Sequence, residues 1–130
     1  MKRALATLIV ATFAAFASAA TAETTDTHGN TALMAAAAIG DTATVQQLID
    51  EGAQINAQSR VGNTALIYAA QEGHSRVVEL LVAAGAEVET QNDFTATAYK
   101  LAKGYGYSEI IETLEHATLQ AAATQDNDRI

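Results

Sequence analysis

The chain has 130 residues, 49% of them hydrophobic, with a net charge of −8 and neither cysteine nor proline. That is enough for one domain with its own core. The missing cysteines exclude disulfides, thiol redox chemistry and thiolate metal sites, and the negative charge disfavours nucleic acid as a partner.

Residues 1–22 read as a signal peptide. Lys2 and Arg3 form a basic start, an uncharged apolar run follows, and Ala20-Thr21-Ala22 is a small-x-small cleavage pattern. The mature chain then begins at Glu23. Ala17-Ser18-Ala19 offers a second cut. A retained membrane anchor is the competing reading, because a bilayer needs roughly 20 apolar residues. The alanine-rich, weakly hydrophobic composition favours cleavage. No cysteine follows, so a lipid-anchored form is excluded. The expected location is the periplasm or the exterior, with no membrane contact after cleavage. All acidic residues follow Ala22, while Lys2 and Arg3 precede it, so the mature chain is more acidic than the whole. This charge could steer the protein towards a basic partner; a solvated acidic surface is the plainer reading.

From residue 26 onward one pattern recurs every 33 residues. Thr31, Leu33, Ala36, Gly40, Val45, Leu48 and Gly52 return as Thr64, Leu66, Ala69, Gly73, Val78, Leu81 and Gly85. A third pass gives Thr97, Tyr99, Ala102, Gly106, Ile111 and Leu114. A fixed period of this size marks a stacked repeat protein. The domain spans residues 23–117, with repeats near 26–58, 59–91 and 92–117. Residues 118–130 are the end of the last helix and a polar tail.

Each repeat reads as a short inner helix, a glycine turn and an outer helix. In the first, Thr31 caps the inner helix, Leu33, Ala36 and Ala37 form its buried side, and Gly40 ends it. Asp41 or Thr42 opens the outer helix, which buries Val45, Leu48 and Ile49 at helical spacing and stops at Gly52. In the second, Thr64 caps, Leu66, Ala69 and Ala70 face the stack, Gly73 turns the chain and Ser75 caps the outer helix. Val77, Val78, Leu80, Leu81 and Ala84 form its apolar stripe. Glu72, Arg76 and Glu79 stay wet. In the third, Thr95 stands where the turn glycine stood and Thr118 where the terminal glycine stood, so the last helix runs on to about Ala122. Ile110, Ile111, Leu114 and Leu119 pack inward; Glu109, Glu112 and Glu115 face out. The tail from residue 124 frays.

These residues resemble the ankyrin repeat. Its signature is D-x-x-G-x-T-P-L-H-x-A-A-x-x-G, then V-V-x-L-L, then G-A-x-V-N. The second repeat reads S-R-V-G-N-T-A-L-I-Y-A-A-Q-E-G-H, V-V-E-L-L and G-A-E-V-E; the first reads D-T-H-G-N-T-A-L-M-A-A-A-A-I-G-D, V-Q-Q-L-I and G-A-Q-I-N. The match covers residues 26–117. Ala32, Ala65 and Ala98 replace the family's proline. Met34, Ile67 and Lys100 replace its histidine, removing one member of the hydrogen-bonded turn. The resemblance implies an all-α ankyrin-repeat solenoid of three stacked helix-turn-helix repeats joined by short β-turn loops. It also implies a monomeric, non-catalytic module that binds another protein through its loop tips and concave inner-helix face. Carried over position by position, the protein-binding residues are Arg60, Val61, Asn63, Gln71, Glu72, Asp93, Phe94 and Tyr105. Ala96 and Gly104 belong to the same surface. Thr27, His28, Asn30, Ala38 and Ile39 are their counterparts in the first repeat, partly spent on capping the stack.

Two readings of the aromatics stand side by side. Phe94 and Tyr105, with Tyr68 and Tyr107 as candidate companions, are exposed binding anchors, or Phe94 and Tyr105 pack on each other and seal the last repeat. Lys100 and Lys103 make a small basic spot, most simply solvated. His28, His74 and His116 lie in different repeats without metal-ligand spacing, and His74 reads as a packing residue. The acidic pairs fall on wet faces, with no pocket to shift a pKa for acid–base work. There is no phosphate-binding or nucleophile-elbow pattern. No catalytic residue, metal or cofactor is expected, and a shallow three-repeat groove suits small ligands poorly. Similarity to exported bacterial ankyrin proteins implies either an inhibitor or immunity protein of a cell-wall hydrolase, or a partner supporting an oxidative-stress enzyme such as catalase. A membrane-anchored scaffold with its leader retained is the third reading.

Overall fold

The computed structural model describes residues 25–128, with side chains described to residue 123; the expected signal peptide lies outside the described residues. The architecture is an all-α repeat solenoid. Inner helices α1 (Ala32–Ile39), α3 (Ala65–Glu72) and α5 (Ala98–Tyr105) alternate with outer helices α2 (Thr42–Asp50), α4 (Ser75–Ala83) and α6 (Ser108–Asp128). Each inner helix packs on the outer helix of its repeat and on the inner helix of the next, and the outer helices form a second layer.

The inner helices are built alike because their ends are. Thr31, Thr64 and Thr97 accept hydrogen bonds at Oγ1 from the N–H groups of Met34, Ile67 and Lys100 at 3.2, 3.2 and 3.1 Å. Each cap satisfies one of the donors that a helix start leaves orphaned. Met34 adds a second link, its Sδ receiving the Thr31 N–H at 3.4 Å. Between these ends, Leu33, Ala36, Ala37, Leu66, Ala69, Ala70 and Ala102 are buried. Alanine lets the helices approach closely, while Val45, Leu48, Val77, Val78, Leu81, Ile110 and Leu114 fill the layer behind them.

The outer helices differ at their starts. Asp41 caps α2, accepting from the Thr44 N–H at 3.2 Å and from its hydroxyl at 2.6 Å. These bonds hold the Asp41 carboxyl below its ordinary pKa. The expected cap at Ser75 is not made. His74 occupies the cap position of α4 and Ser75 is the first helical residue. His74 makes no side-chain cap; its Nε2 lies 3.0 Å from the Ala38 carbonyl in the preceding repeat.

That ring explains the first turn glycine. Gly40 has φ +76°, and a Cβ there would lie 2.6 Å from His74 Nδ1. Gly73 stands in the same relation to Tyr107, one period after His74, while a Cβ on Gly106 (φ +77°) would meet open space. So the rings that open α4 and α6, His74 and Tyr107, each seat over the turn of the repeat before. Gly40→Ala is therefore expected to cost about 2–3 kcal/mol, combining left-handed strain with a displaced ring. Gly106→Ala, with strain alone, should cost about 1 kcal/mol. Urea titrations of the two variants check the difference; equal losses would show that the ring seat carries no energy.

The tips are three copies of one hairpin. Asp26, Ser59 and Asn92 donate their N–H groups to the carbonyls of Asn30, Asn63 and Ala96 at 3.0, 2.9 and 3.0 Å. Their side chains accept in return: Asp26 Oδ1 from His28 and Asn30, Ser59 Oγ from Asn63, and Asn92 Oδ1 from Phe94 and Ala96. The Asn30 N–H and side chain, foremost among its partners, keep the Asp26 carboxyl below its ordinary pKa. Successive tips are joined by Arg60 N–H to His28 O at 3.0 Å and Asp93 N–H to Val61 O at 2.9 Å. Thus the tips stay hydrogen-bonded to one another although the family histidine is missing.

Thr95 is the positive-φ non-glycine residue among those described, at φ 60°. Its counterparts Gly29 and Gly62 are pressed against the next tip, where a Cβ would come within 3.2 and 3.0 Å of backbone. Among the described residues no further tip packs against Thr95, so a side chain fits there, but the backbone conformation still disfavours a β-branched residue. Thr95→Gly is expected to stabilise the fold by about 0.5–1 kcal/mol, measured as a raised urea midpoint. A lowered midpoint would mean that the threonine side chain earns its place.

The last repeat departs from the expected course. Helix α6 continues past the expected end near Ala122 to Asp128. Thr118 and the residues after it suit a helix, and no glycine interrupts them. Leu119 is carried outward and is 70% exposed, not packed inward. On α5, the buried Leu66, Ile67 and Ala70 of the previous repeat are replaced by Tyr99, Lys100 and Lys103, none of them buried. The end of the stack is thereby made polar, as a terminal repeat requires. The two lysines are not simply solvated. Lys100 Nζ donates to the Thr95 carbonyl at 3.0 Å, and Lys103 Nζ lies 5.9 Å from the Tyr99 ring centre.

Candidate protein-binding surface

The repeat register places the candidate residues in two rows. One crosses the loop tips: Arg60 and Val61 of the second repeat, Asp93 and Phe94 of the third. The other crosses the C-terminal ends of the inner helices: Ile39 on α1, Gln71 and Glu72 on α3, Tyr105 on α5. An eight-residue helix separates the rows by about 12 Å. The surface is therefore two bands with the inner helices between them.

Phe94 is 75% exposed and Tyr105 60% exposed. They stand at opposite ends of α5, so they do not pack on each other. The ring beside Tyr105 is Tyr107, at 5.7 Å and 27° between planes. Tyr107 in turn rests over Gly73. The expected seal is thus made by Tyr107, and Tyr105 stacks against it with most of its surface free. Phe94 is held from below, where its own N–H donates to Asn92 Oδ1 at 2.9 Å. Each aromatic is an apolar group on a fixed backbone, which limits the entropy lost on binding.

The other candidates divide. Arg60, Glu72 and Asp93 are exposed, and Val61 shows 40% of its surface. Asn63 is half-buried, and its Oδ1 accepts from Asn92 Nδ2 at 2.8 Å, which ties the second tip to the third. Asn30 does the same for the first tip, accepting from the Tyr68 hydroxyl at 2.7 Å. Gln71 is half-buried, with Nε2 3.4 Å from Glu72 Oε1. The tyrosine grouping suggested by the sequence is also split: Tyr68 braces a tip, and Tyr107 braces a turn. Ile39, at 73% exposure, is the apolar counterpart of Tyr105 on the first repeat. Sequence reasoning discounted it as part of the stack's cap; its place in the Tyr105 row is the signal that marks it.

Charge is sorted between the layers. Between residues 26 and 115, the inner helices and tips carry Asp26, Glu72 and Asp93 against Arg60, Lys100 and Lys103, and are balanced. The outer helices with their flanking turns carry Asp41, Asp50, Glu51, Glu79, Glu87, Glu89, Glu109, Glu112 and Glu115 against Arg76, which pairs with Glu79 at 2.8 Å. The net acidity inferred from composition thus lies away from the aromatic rows, where Glu72 and Asp93 are offset by Arg60, Lys100 and Lys103. Among the described residues, no group of three or more histidines, cysteines or carboxylates is placed to hold a metal ion. No described helix is long and apolar enough to cross a membrane.

Comparison with known proteins agrees with the repeat fold. The family model for ankyrin repeats, in three copies, matches residues 6–92 and 33–127. No curated protein matches the chain.

Proposed function

We infer that this chain, which belongs to the ankyrin-repeat family, is an envelope protein that holds one partner protein against its loop tips and inner-helix ends. Ankyrin repeats are protein-interaction modules, and the observation that carries the reading here is the exposure of Phe94 and Tyr105 on braced backbone. Aromatic side chains of this kind dominate binding energy where they enter a partner's pocket. The envelope location is supported by the signal-peptide pattern of residues 1–22. The leading role is inhibition of a cell-wall hydrolase, by covering it; support of an oxidative-stress enzyme such as catalase is the alternative.

The test is capture from the native envelope fraction by the tagged mature chain from Glu23, with mass spectrometry and activity assays of what is retained. A single stoichiometric partner, lost with the Phe94→Ser/Tyr105→Ser variant, is expected. A captured hydrolase losing activity selects inhibition; a redox enzyme with activity kept or raised selects support. Equal capture by wild type and variant would overturn the proposed surface. A mature chain still carrying residues 1–22 would return the anchored scaffold to first place.

A further inference from the structure

The loops that follow the outer helices form a ladder of their own. Asn56, in the loop after α2, accepts the Glu87 N–H at Oδ1, 2.8 Å, and reaches the Gly85 carbonyl with Nδ2 at 3.5 Å. Gln58 Nε2 donates to Gly62 O at 3.0 Å and reaches Gln91 O at 3.5 Å. So the side chains of one loop grip the backbone of the next. Ala53, Ile55 and Ala57, then Ala86 and Val88, alternate along these loops and pack onto the core beneath.

One period on, the gripping positions are Glu89 and Gln91, and the loop they would grip is missing. Helix α6 runs straight through Thr118, where Gly52 and Gly85 turned the chain back. The space left is an open groove of about 530 Å³. Its apolar floor is Val88, Tyr99, Leu114 and the outturned Leu119, and Glu89 and Gln91 stand along one side. Glu115 closes another side, accepting from the Tyr99 hydroxyl at 2.9 Å. Lys100 also borders the groove, but its ammonium is held by the Thr95 carbonyl. A second groove, of about 470 Å³, adjoins this one at Val88 and Glu89 and adds Glu87.

We propose that this groove binds an extended segment of a partner protein, taking the place of the missing third loop. Its occupant has small and branched apolar residues at alternate positions, as Ala86 and Val88 do, with basic residues between them. The alternation is set by the floor. The backbone contact is set by Glu89, which accepts an N–H as Asn56 does, and by Gln91, which donates to a carbonyl as Gln58 does. The basic flank is set by Glu87, Glu89 and Glu115. This surface lies on the end of the stack, apart from Phe94 and Tyr105, and its occupancy is independent of theirs.

The probe is a synthetic peptide, Gly-Ala-Lys-Val-Lys-Ala-Gln, titrated into isotopically labelled mature protein and followed by amide NMR shifts. Saturable shifts at residues 88–91, 99 and 114–119 are expected. The Glu-for-Lys version of the peptide should bind about tenfold more weakly. Leu119→Glu should also weaken the Lys peptide about tenfold, although it adds a negative charge; unspecific attraction would instead grow. The Glu89→Ala/Gln91→Ala variant should weaken binding similarly, and Phe94→Ser/Tyr105→Ser should leave it unchanged. All these residues are exposed, so the variants are expected to remain folded, which a thermal melt of each checks. Shifts centred on Phe94 and Tyr105, binding unaffected by Leu119→Glu, or no saturation would each overturn the proposal. Concentration-dependent pairing of the protein alone, abolished by Leu119→Glu, would assign the groove to a second copy and overturn it too.

Discussion

Phe94→Ser with Tyr105→Ser is expected to abolish partner binding and to leave the helical stack standing. Truncating a central aromatic anchor costs about 2–4 kcal/mol, so the pair should cost at least ~4 kcal/mol, or about a thousandfold in Kd. The price in stability is small, because both rings are mostly exposed. Phe94 loses little, and Tyr105 gives up its stack on Tyr107, about 0.5–1.5 kcal/mol. Calorimetric titration against the captured partner, beside a thermal melt, separates the two effects. If the double variant melts far below the wild type, the rings are structural and the anchor reading fails. If it binds as before, the partner docks elsewhere.

Leu81→Ala should have the largest effect on stability. Leu81 is fully buried on α4, in the middle repeat, which packs against a neighbour on both sides. Removing its branched end leaves a cavity in a closely packed core. A loss of about 2–5 kcal/mol is expected. A domain of this size holds only about 5–15 kcal/mol in all. Urea unfolding monitored by circular dichroism measures the change. A shift below about 1 kcal/mol would show that the repeats close around the gap and that the core is looser than it looks.

The stack itself was legible in the sequence because its determinants are local and repeated. Thr31, Thr64 and Thr97 start helices wherever they occur in phase, and Gly40, Gly73 and Gly106 stop them. What the period could not show is what happens where it breaks. The helix running through Thr118 was readable, but not that it carries Leu119 outward, to 70% exposure, rather than onto the core. The same break creates the end groove, which is defined by a loop that is not there. Ser75 looked like a cap because serine often is one. The choice was settled by His74, whose bond to Ala38 lies a whole repeat away. For the binding surface, the sequence found Phe94 and Tyr105, but not their bracing. That Tyr105 leans on Tyr107, and that Asn63 is already engaged, depend on side-chain directions that spacing does not encode.

The hydrogen bonds that join the repeats all reach about the same distance along the chain. Arg60 to His28, Asp93 to Val61, Gln58 to Gln91 and His74 to Ala38 each span 32 to 36 residues. None of these ties bridges the first repeat to the third. Drawn out by its ends, such a molecule would not resist as one body and then fail. It would peel from a terminus, one repeat at a time, each freed unit paying out roughly 110 Å of chain. Under load the protein is thus expected to yield in steps, and a ligand clasped across two repeats to stiffen just that span.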